Sequence, residues 1–274
     1  MKHAYLIIAH NEFRVLQKLI EALDDVRNDI YVHIDKKVET LPEITTQQST
    51  LFILQDRIDV RWGDVSQVEV MLKLFAEACK TKEYAFYHLL SGVHLPLKSQ
   101  DYLHIFFANK QDKSFIQRVW IQENEIDMRI RRYNFFNHDF VPNQKKWLFL
   151  LRLQKLFHIK RYRDLSFYKA SQWCSLNKDT VAYLVSQKAS IIRRYQHTFC
   201  SDEFMVASEL LRSPLKDSIV DLPTLLKLEF DGINPRIMTI DDYNSLIESD
   251  FLFARKFSEK EMGVVDKIVN YVIH

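Results

Sequence analysis

Two adjacent acids, Asp202 and Glu203, follow Ser201 at the start of a segment that predicts a helix ending near Leu211. A carboxylate beside a hydroxyl group can remove its proton while the oxygen attacks an electrophilic carbon, which is general-base chemistry. Two acids in a first turn also stabilise a helix through its dipole. The pair is therefore either a catalytic base with its neighbour or the start of a helix.

Polar residues also follow the first two predicted strands. His10 comes after the apolar run 4–9, and Asp35 ends the run 29–35. Open α/β sheets bind ligands at the carboxyl ends of their strands, where a carboxylate can accept a hydrogen bond from a base or a ribose. Such residues equally end strands and cap helices, so their spacing leaves both interpretations open.

A basic pair, Arg255 and Lys256, lies in the late segment LFARKF. Two cations there could hold a diphosphate, because phosphate charges buried without partners are very costly. A solvated helix end is the alternative. The strand at 84–90 is followed by SGVHLPL, which has no acidic pair for a metal, so Glu229-x-Asp231 is the metal-binding alternative.

The composition excludes several classes of protein. The chain has 274 residues, with 38 Lys plus Arg against 36 Asp plus Glu, which is not the basic excess of a nucleic-acid binder. Its 4 glycines lie too far apart for a glycine-rich phosphate loop. Its 3 cysteines contain no C-x-x-C pair, which favours a reducing compartment over a zinc site or a disulfide scaffold. We expect no metal, no cofactor and no nucleic acid.

The elements that must position these residues alternate in the first hundred residues. Apolar runs predict strands at 4–9, 29–35, 51–54 and 84–90. Helical spacing predicts helices at about 15–23 and from Ser66 to Cys79, the second with the capping-box spacing of Ser66 and Glu69. Such alternation indicates a parallel sheet covered on both faces, typical of a nucleotide-binding half.

The rest of the chain is less regular. It contains strand-like residues from Ser114 and predicted helices at 177–184, 201–211, from Thr239, and at about 258–272. No linker or repeat divides the chain. We predict an α/β fold, a Rossmann-like mixed sheet flanked by helices in a single domain over 1–274, with one half at about 1–110 and another at about 111–274.

Several segments, in order, carry a resemblance to a known family. They are YLIIAHNE with YVHIDKK, RWGDVSQVEVMLKLF, YHLLSGVHLPLKS, ASQWCSLNKDTVAYLV, CSDEFMVASEL and LFARKF. Their order and spacing extend from residue 4 to about residue 257. The chain resembles glycosyltransferase family 14, which contains the core-2/I-branching β-1,6-N-acetylglucosaminyltransferases and the peptide O-xylosyltransferases.

The resemblance implies a GT-A-like fold and an inverting, metal-independent transfer of a sugar, expected to be N-acetylglucosamine, from a UDP-sugar to a glycan or lipid-linked glycan hydroxyl. The family's catalytic base is a glutamate in a segment similar to 201–204, so Glu203 is the expected base, with Asp202 orienting it or contacting the acceptor. A xylosyl- or other hexosyltransferase, or a non-catalytic nucleotide- or glycan-binding module, are the alternatives.

The resemblance also implies the diphosphate contacts. Lys256 matches a family lysine that binds the diphosphate, and Arg255 stands beside it. The family's diphosphate-binding arginine falls at Lys227 here, with Arg236 as a substitute. A lysine keeps the charge but loses the two-pronged hydrogen bonding of an arginine.

On the nucleotide side, His10, Asp35 and Arg61 match the family pattern. Trp173 matches a position near the sugars, where an aromatic ring suits the apolar face of a pyranose, although a core tryptophan is nearly as compatible with the sequence. The resemblance places acceptor contacts in the region of Glu125 and Arg129, which a solvated helix face would also carry.

The run 144–163 mixes aromatic and aliphatic residues with basic ones. This mixture allows peripheral contact with an anionic membrane near a lipid-linked acceptor, while a helix with a basic outer face is the plainer interpretation. With no apolar stretch of membrane-spanning length and no signal anchor, we expect a bacterial enzyme of surface polysaccharide synthesis. We place it in the cytoplasm, with peripheral contact at the inner face of the membrane.

Overall fold

The computed structural model describes residues 2–136, 138–232 and 234–274. The strands are β1 (His3–Ala9), β2 (Asn28–Ile34), β3 (Thr50–Ile53), β4 (Phe86–Ser91), β5 (His94–Pro96), β6 (Ser114–Ile116), β7 (Cys174–Asn177), β8 (Ile219–Asp221), β9 (Leu226–Leu228), β10 (Phe230–Asp231), β11 (Asn234–Pro235) and β12 (Phe253–Arg255). The helices are α1 (Phe13–Leu23), α2 (Ser66–Thr81), α3 (Gln100–Ala108), α4 (Glu123–Arg129), α5 (Phe140–Leu156), α6 (Lys178–Ser186), α7 (Lys188–Tyr195), α8 (Asp202–Leu211), α9 (Tyr243–Ile247) and α10 (Met262–Ile273).

The main sheet has the strand order β3-β2-β1-β4-β7-β6-β8. The first four of these strands are mutually parallel, β7 is antiparallel to β4, and β6 is antiparallel to β7. The sheet continues across the expected boundary near residue 110, so the two halves share one layer. The predicted α/β fold is confirmed: a mixed sheet flanked by helices in a single domain, consistent with a GT-A-like fold.

Burial explains why the parallel half forms as predicted. β2 and β4 are buried along their whole length, as parallel strands covered on both faces must be. The apolar residues of α1 with helical spacing are all buried, namely Val15, Leu16, Leu19, Ile20 and Leu23. This half therefore provides a rigid base for the loops at its carboxyl edge.

The helix starts test the capping predictions. Asn177 caps α6 as expected, since its side-chain oxygen accepts a hydrogen bond from the Thr180 N–H at 3.0 Å. The capping box at Ser66 and Glu69 is wrong, because Ser66 is the first residue of α2 and its hydroxyl accepts from the Arg61 N–H at 2.9 Å. The hydroxyl thus holds the 61–66 turn against the helix.

A small second sheet with the order β5-β12-β9 brings the end of the chain to the parallel half. β12 pairs antiparallel with β5, so that Arg255 lies opposite His94, and parallel with β9. The Phe257 N–H then donates to the Val93 carbonyl at 3.1 Å. Residues separated by some 160 positions in sequence thereby meet beside the end of β4.

Gly92 is required where β4 leaves the sheet. A Cβ atom at this position would lie 2.8 Å from the Cβ of Ala9, closer than two carbon atoms can approach. The loop after β4 can therefore pass against the end of β1 only because this residue has no side chain.

The longest helix, α5, spans 17 residues and buries one seam, Trp147, Leu151 and Gln154. Among the described residues, no helix combines the length and the apolar composition needed to cross a membrane.

Two buried histidines of the parallel strands, His3 and His88, pack with the half-buried His104 of α3. His3 stacks on His104 with ring centroids 4.1 Å apart, and His88 Nε2 lies 3.1 Å from His3 Nδ1. Burial lowers the pKa of all three, to about 3 for His88 and about 4 for His104. These rings are therefore neutral in the folded protein at neutral pH.

Acidification should consequently destabilise the fold. Below pH 6.5 the unfolded chain binds protons that the folded histidines exclude, so each such histidine lowers the free energy of unfolding by up to about 1.4 kcal/mol per pH unit. The effect is absent above pH 6.5 and grows down to about pH 4 for His104. Urea unfolding at several pH values should show a smaller pH dependence for His104→Gln, whereas the exposed control His138→Gln should match the wild type. An identical slope in all three proteins would contradict this origin.

Candidate active site

A cavity of about 310 Å³ lies at the carboxyl edge of the parallel strands. Loops after β1, β2, β4 and β12 line it, and they contribute His10, Asn11, Asp35, Lys37, 91–93, Arg255 and Lys256, with Trp62, Gln67 and Trp173 beside them. The volume is at the lower end of the range for small-molecule sites, and the position is the one that open α/β sheets use.

A larger hollow of about 520 Å³ lies near the amino ends of β1 and β2. Its lining is rich in carboxylates, including Asp24, Asp25 and Asp101, and Asp24 already accepts hydrogen bonds from the backbone of 47–49. A wall of this charge repels anions, so the smaller cavity is the better candidate for a phosphate-bearing ligand.

Asp35 is buried at the end of β2 and holds its own loop. Its carboxylate accepts from the Lys37 N–H at 2.8 Å, from the Lys37 ammonium at 2.9 Å and from the Val60 N–H at 3.1 Å. A carboxylate has about four acceptor positions, so about one remains for a ligand hydroxyl. Partial burial lowers the pKa of the nearby His10, and Lys256 adds to this, which favours a neutral ring there.

Arg255 and Lys256 supply the positive charge of the cavity. Within 2–136, 138–232 and 234–274, neither side chain forms an ion pair. Arg255 lies over the ring of Trp173, with its guanidinium carbon 5.3 Å from the ring centroid. Burial lowers its pKa to about 10, which Asp202 partly opposes. Two cations free of protein carboxylates are suited to bind a diphosphate.

Three side chains near the cavity each have a buried polar atom without a hydrogen-bond partner among the described residues: Arg255 Nε, Asp202 Oδ1 and His94 Nε2. The Ser91 N–H donates to His94 Nδ1 at 3.0 Å, so the proton of the neutral ring resides on Nε2. Unpaired buried donors and acceptors are costly and uncommon in folded proteins. Of these three residues, Arg255 is the one that lines the cavity, so its Nε atom is placed to meet a ligand.

Glu203 lies in the first turn of α8 and is held by two cations. Its Oε2 atom accepts from Arg129 at 2.5 Å and lies 3.5 Å from the Lys169 ammonium. Arg129 is itself buried and also donates to the carbonyls of Phe199 and Cys200 and to Glu125. The Glu203 side chain remains 38% exposed, so a substrate hydroxyl can reach it.

Asp202 connects the carboxylates to the cavity. Its Oδ2 accepts from Gln67 Nε2 at 3.2 Å, and Gln67 lines the cavity. Burial raises the pKa of Asp202 to about 7, and the neighbouring Glu203 adds to the shift while Arg129 opposes it. Near neutral pH this carboxyl group is therefore partly protonated.

Other predicted residues do not reach the cavity. The Arg61 guanidinium donates to Asp59 at 2.8 Å and pairs with Asp139, and its neighbours Val60 and Trp62 line the cavity in its place. Lys227 pairs with Glu229, as Arg236 also does at 2.6 Å. The three predicted cations are thus paired with nearby carboxylates and do not line the cavity.

The ion pairs of Glu229 also concern the alternative in which Glu229 and Asp231 bind a metal ion. Glu229 is occupied by Lys227 and Arg236, and the hydrogen bonds hold its pKa below the usual range. Asp231 is exposed in the β10–β11 hairpin. In the described part of the chain, no three His, Cys, Asp or Glu side chains are grouped to hold a metal ion.

Three further residues lie at the site although no sequence pattern singled them out: Lys169, Gln67 and Lys37. Lys169 pairs with Glu125 at 3.2 Å and approaches Glu203, because the Ala170 N–H donates to the Glu203 carbonyl at 2.8 Å. In the sequence, its position four residues before the predicted site residue Trp173 is the one indication that Lys169 lies at the site. Glu125 and Arg129, predicted for the acceptor, lie in the same network as Glu203.

The sequence model of the family described as Core-2/I-Branching enzyme matches residues 3–221 of this chain. Among curated proteins, a xylosyltransferase of Ciona intestinalis is 21% identical over 79% of the chain and 26% of its own length. Human xylosyltransferase 1 is 22% identical over 80% and 23%, and rat xylosyltransferase 2 is 21% identical over 80% and 25%. The chain thus spans about a quarter of the length of these relatives.

The unpaired Lys256 of the cavity should contribute to UDP binding, and the paired Lys227 should not. Replacing Lys256 by Met removes an unpaired charge from the cavity and should weaken the binding of UDP about tenfold or more, as expected for a charge-assisted hydrogen bond. Lys227→Met is the matched control and should leave the affinity within about twofold, because Glu229 already pairs with Lys227. Titration calorimetry with UDP measures both. Equal losses, or a larger loss in the control, would contradict the assignment.

Proposed function

The chain belongs to the Core-2/I-branching enzyme family, and from this premise we propose that it is an inverting, metal-independent glycosyltransferase that moves a sugar from a UDP-sugar to a glycan hydroxyl. The observation that supports it most is a cavity that holds two unpaired cations, Arg255 and Lys256, and that Gln67 joins to Asp202, the neighbour of the accessible carboxylate Glu203. General base and leaving-group stabiliser are the two functions that such a transfer needs.

The UDP-sugar lies with its nucleotide toward His10 and Asp35 and its diphosphate toward Arg255 and Lys256. Trp173 offers an aromatic surface beside the donor sugar, and the unpaired Nε atom of Arg255, a residue of the cavity lining, can donate to a ligand oxygen. No acidic pair follows β4, so the two cations take the role of neutralising the diphosphate.

Glu203 removes the proton from the acceptor hydroxyl as the oxygen of that hydroxyl attacks the anomeric carbon. The bond from this carbon to the diphosphate oxygen breaks, and the electron pair leaves with UDP, whose new charge Lys256 and Arg255 stabilise. Attack opposite the leaving group inverts the anomeric configuration. Arg129 and Lys169 hold the Glu203 carboxylate in place through their contacts with Oε2.

N-acetylglucosamine is the donor sugar that we propose, as in the branching enzymes of the family. Xylose is the second candidate, because the relatives are named xylosyltransferases. All three cysteines are free thiols, which supports work in a reducing compartment such as the cytoplasm. A role in the synthesis of a bacterial surface polysaccharide stays a prediction.

The role of Glu203 is tested by Glu203→Gln, which keeps the shape of the side chain and removes the base. Transfer or donor hydrolysis should fall by about 10²–10⁴-fold while UDP affinity changes little. Glu123→Gln, an exposed acid of α4, is the control and should retain the rate. A Glu203→Gln enzyme with normal turnover would show that another group is the base.

The donor and the metal requirement are tested together by release of UDP from a panel of UDP-sugars, with and without EDTA, through slow hydrolysis that needs no acceptor. We expect one donor to be hydrolysed at the same rate in both conditions. Loss of activity in EDTA would favour metal-assisted transfer. UDP binding without hydrolysis or transfer of any donor would favour a non-catalytic binding module.

A further inference from the structure

The outer face of α5 carries apolar and basic residues together and no acid. Its apolar members are Val141, Leu148, Phe149 and Leu156, and its basic members are Lys145, Arg152 and Lys155. These side chains are exposed, with Val141 at 81%, Leu156 at 69% and Phe149 at 60%. They lie opposite the buried seam of Trp147 and Leu151.

An ordinary surface helix buries one apolar stripe and presents charges of both signs to water. α5 departs from this pattern, because its second face is also apolar and its charges have one sign. Lys145, Arg152 and Lys155 form no ion pair within the described ranges. Contiguous exposed apolar side chains on a monomer usually mark a surface that binds something.

We propose that the outer face of α5 docks on an anionic lipid bilayer. Phe149, Leu156 and Val141 would enter the boundary between headgroups and acyl chains, while the long stems of Lys145, Arg152 and Lys155 would keep their charges among the lipid phosphates. Beyond the helix, the exposed Arg163 adds a further cation, whereas Lys160 pairs with Asp127.

The composition favours a bilayer over other partners. A protein interface depletes charge at its centre, whereas Lys145 and Arg152 lie among the apolar residues here. A nucleic acid would use the cations but give no partner to Val141, Leu148 and Leu156. Only a surface that is both anionic and apolar just below its headgroups matches both components.

The inner side of α5 packs beside the candidate active site. The Phe140 ring, at the start of α5, lies 5.4 Å from that of Trp62 and 4.6 Å from that of Phe199, measured between ring centroids. Trp62 lines the cavity, and Phe199 lies four residues before Glu203. A bilayer bound to the outer face would therefore be separated from these contacts by one helix diameter, ~10 Å. The docking itself does not depend on the proposed activity.

Vesicle flotation tests the proposal with the full chain. The wild type should bind vesicles of phosphatidylglycerol and phosphatidylcholine, bind phosphatidylcholine alone at least about tenfold more weakly, and dissociate at high salt. Lys145→Glu with Arg152→Glu, and separately Phe149→Ser with Leu156→Ser, should each weaken binding at least about tenfold.

A matched control carries the same charge change elsewhere. Lys80→Glu with Lys178→Glu alters two exposed lysines at the end of α2 and the start of α6, and should bind vesicles like the wild type. Circular dichroism and the rate of donor hydrolysis without vesicles should be unchanged in the α5 variants, which separates lost docking from lost folding or activity.

Three outcomes would overturn the proposal: a wild type that does not bind anionic vesicles, α5 variants that bind as well as the wild type, or equal losses in the Lys80→Glu/Lys178→Glu control. A concentration-dependent dimer that only the α5 variants abolish, without vesicle binding, would instead identify a second copy of the chain as the partner.

Discussion

The antiparallel pairing of β12 with β5 is the constraint on which the candidate site depends. It places Arg255 opposite His94 and over Trp173, and it brings Lys256 to the loops that end the parallel strands. The backbone hydrogen bonds of this small sheet hold Arg255 where burial disfavours its charge, with Lys256 beside it. Gly92 makes the arrangement possible, because a side chain there would collide with Ala9.

The charges around the site are divided into two kinds. On the α8 side, Glu203 and Glu125 are matched by cations, since both contact Arg129 and Lys169. On the cavity side, Arg255 and Lys256 lack protein carboxylate partners in the regions that the structure describes. A matched network orients its members and rigidifies them, whereas unmatched cations remain able to bind an anion. The two arrangements suit a positioned base and a diphosphate, respectively.

The apolar cluster under α5 joins a surface feature to this chemistry. Trp147 and Leu151 pack with Phe199, apart from the main core, and Phe140 packs against Trp62 and Phe199. Cys200, the next residue, has a left-handed backbone conformation and leads directly into Ser201, Asp202 and Glu203. The helix that carries the proposed docking face therefore packs on the same cluster that supports the start of α8.

Local sequence patterns were enough to predict the parallel half and to propose where the site lies. Continuous apolar runs and helical spacing are local signals of burial, so the strands and α1 were predictable, and parallel strands place His10 and Asp35 at one edge. The ordered motifs identified the family and the pair Asp202–Glu203. Local capping was less predictable, because the Ser66 hydroxyl has a tertiary alternative in the Arg61 N–H.

Which charged residues are available to bind a phosphate depends on contacts that form in the tertiary structure. Arg61, Lys227 and Arg236 have the right chemistry for a phosphate, but Asp59 and Glu229 pair with them, whereas Arg255 and Lys256 are left unpaired. Likewise, Lys169 approaches Glu203 because distant segments meet. Electrostatic pairing falls off over a few ångströms and is set by contacts between residues remote in sequence, so no local pattern of residue types can determine it.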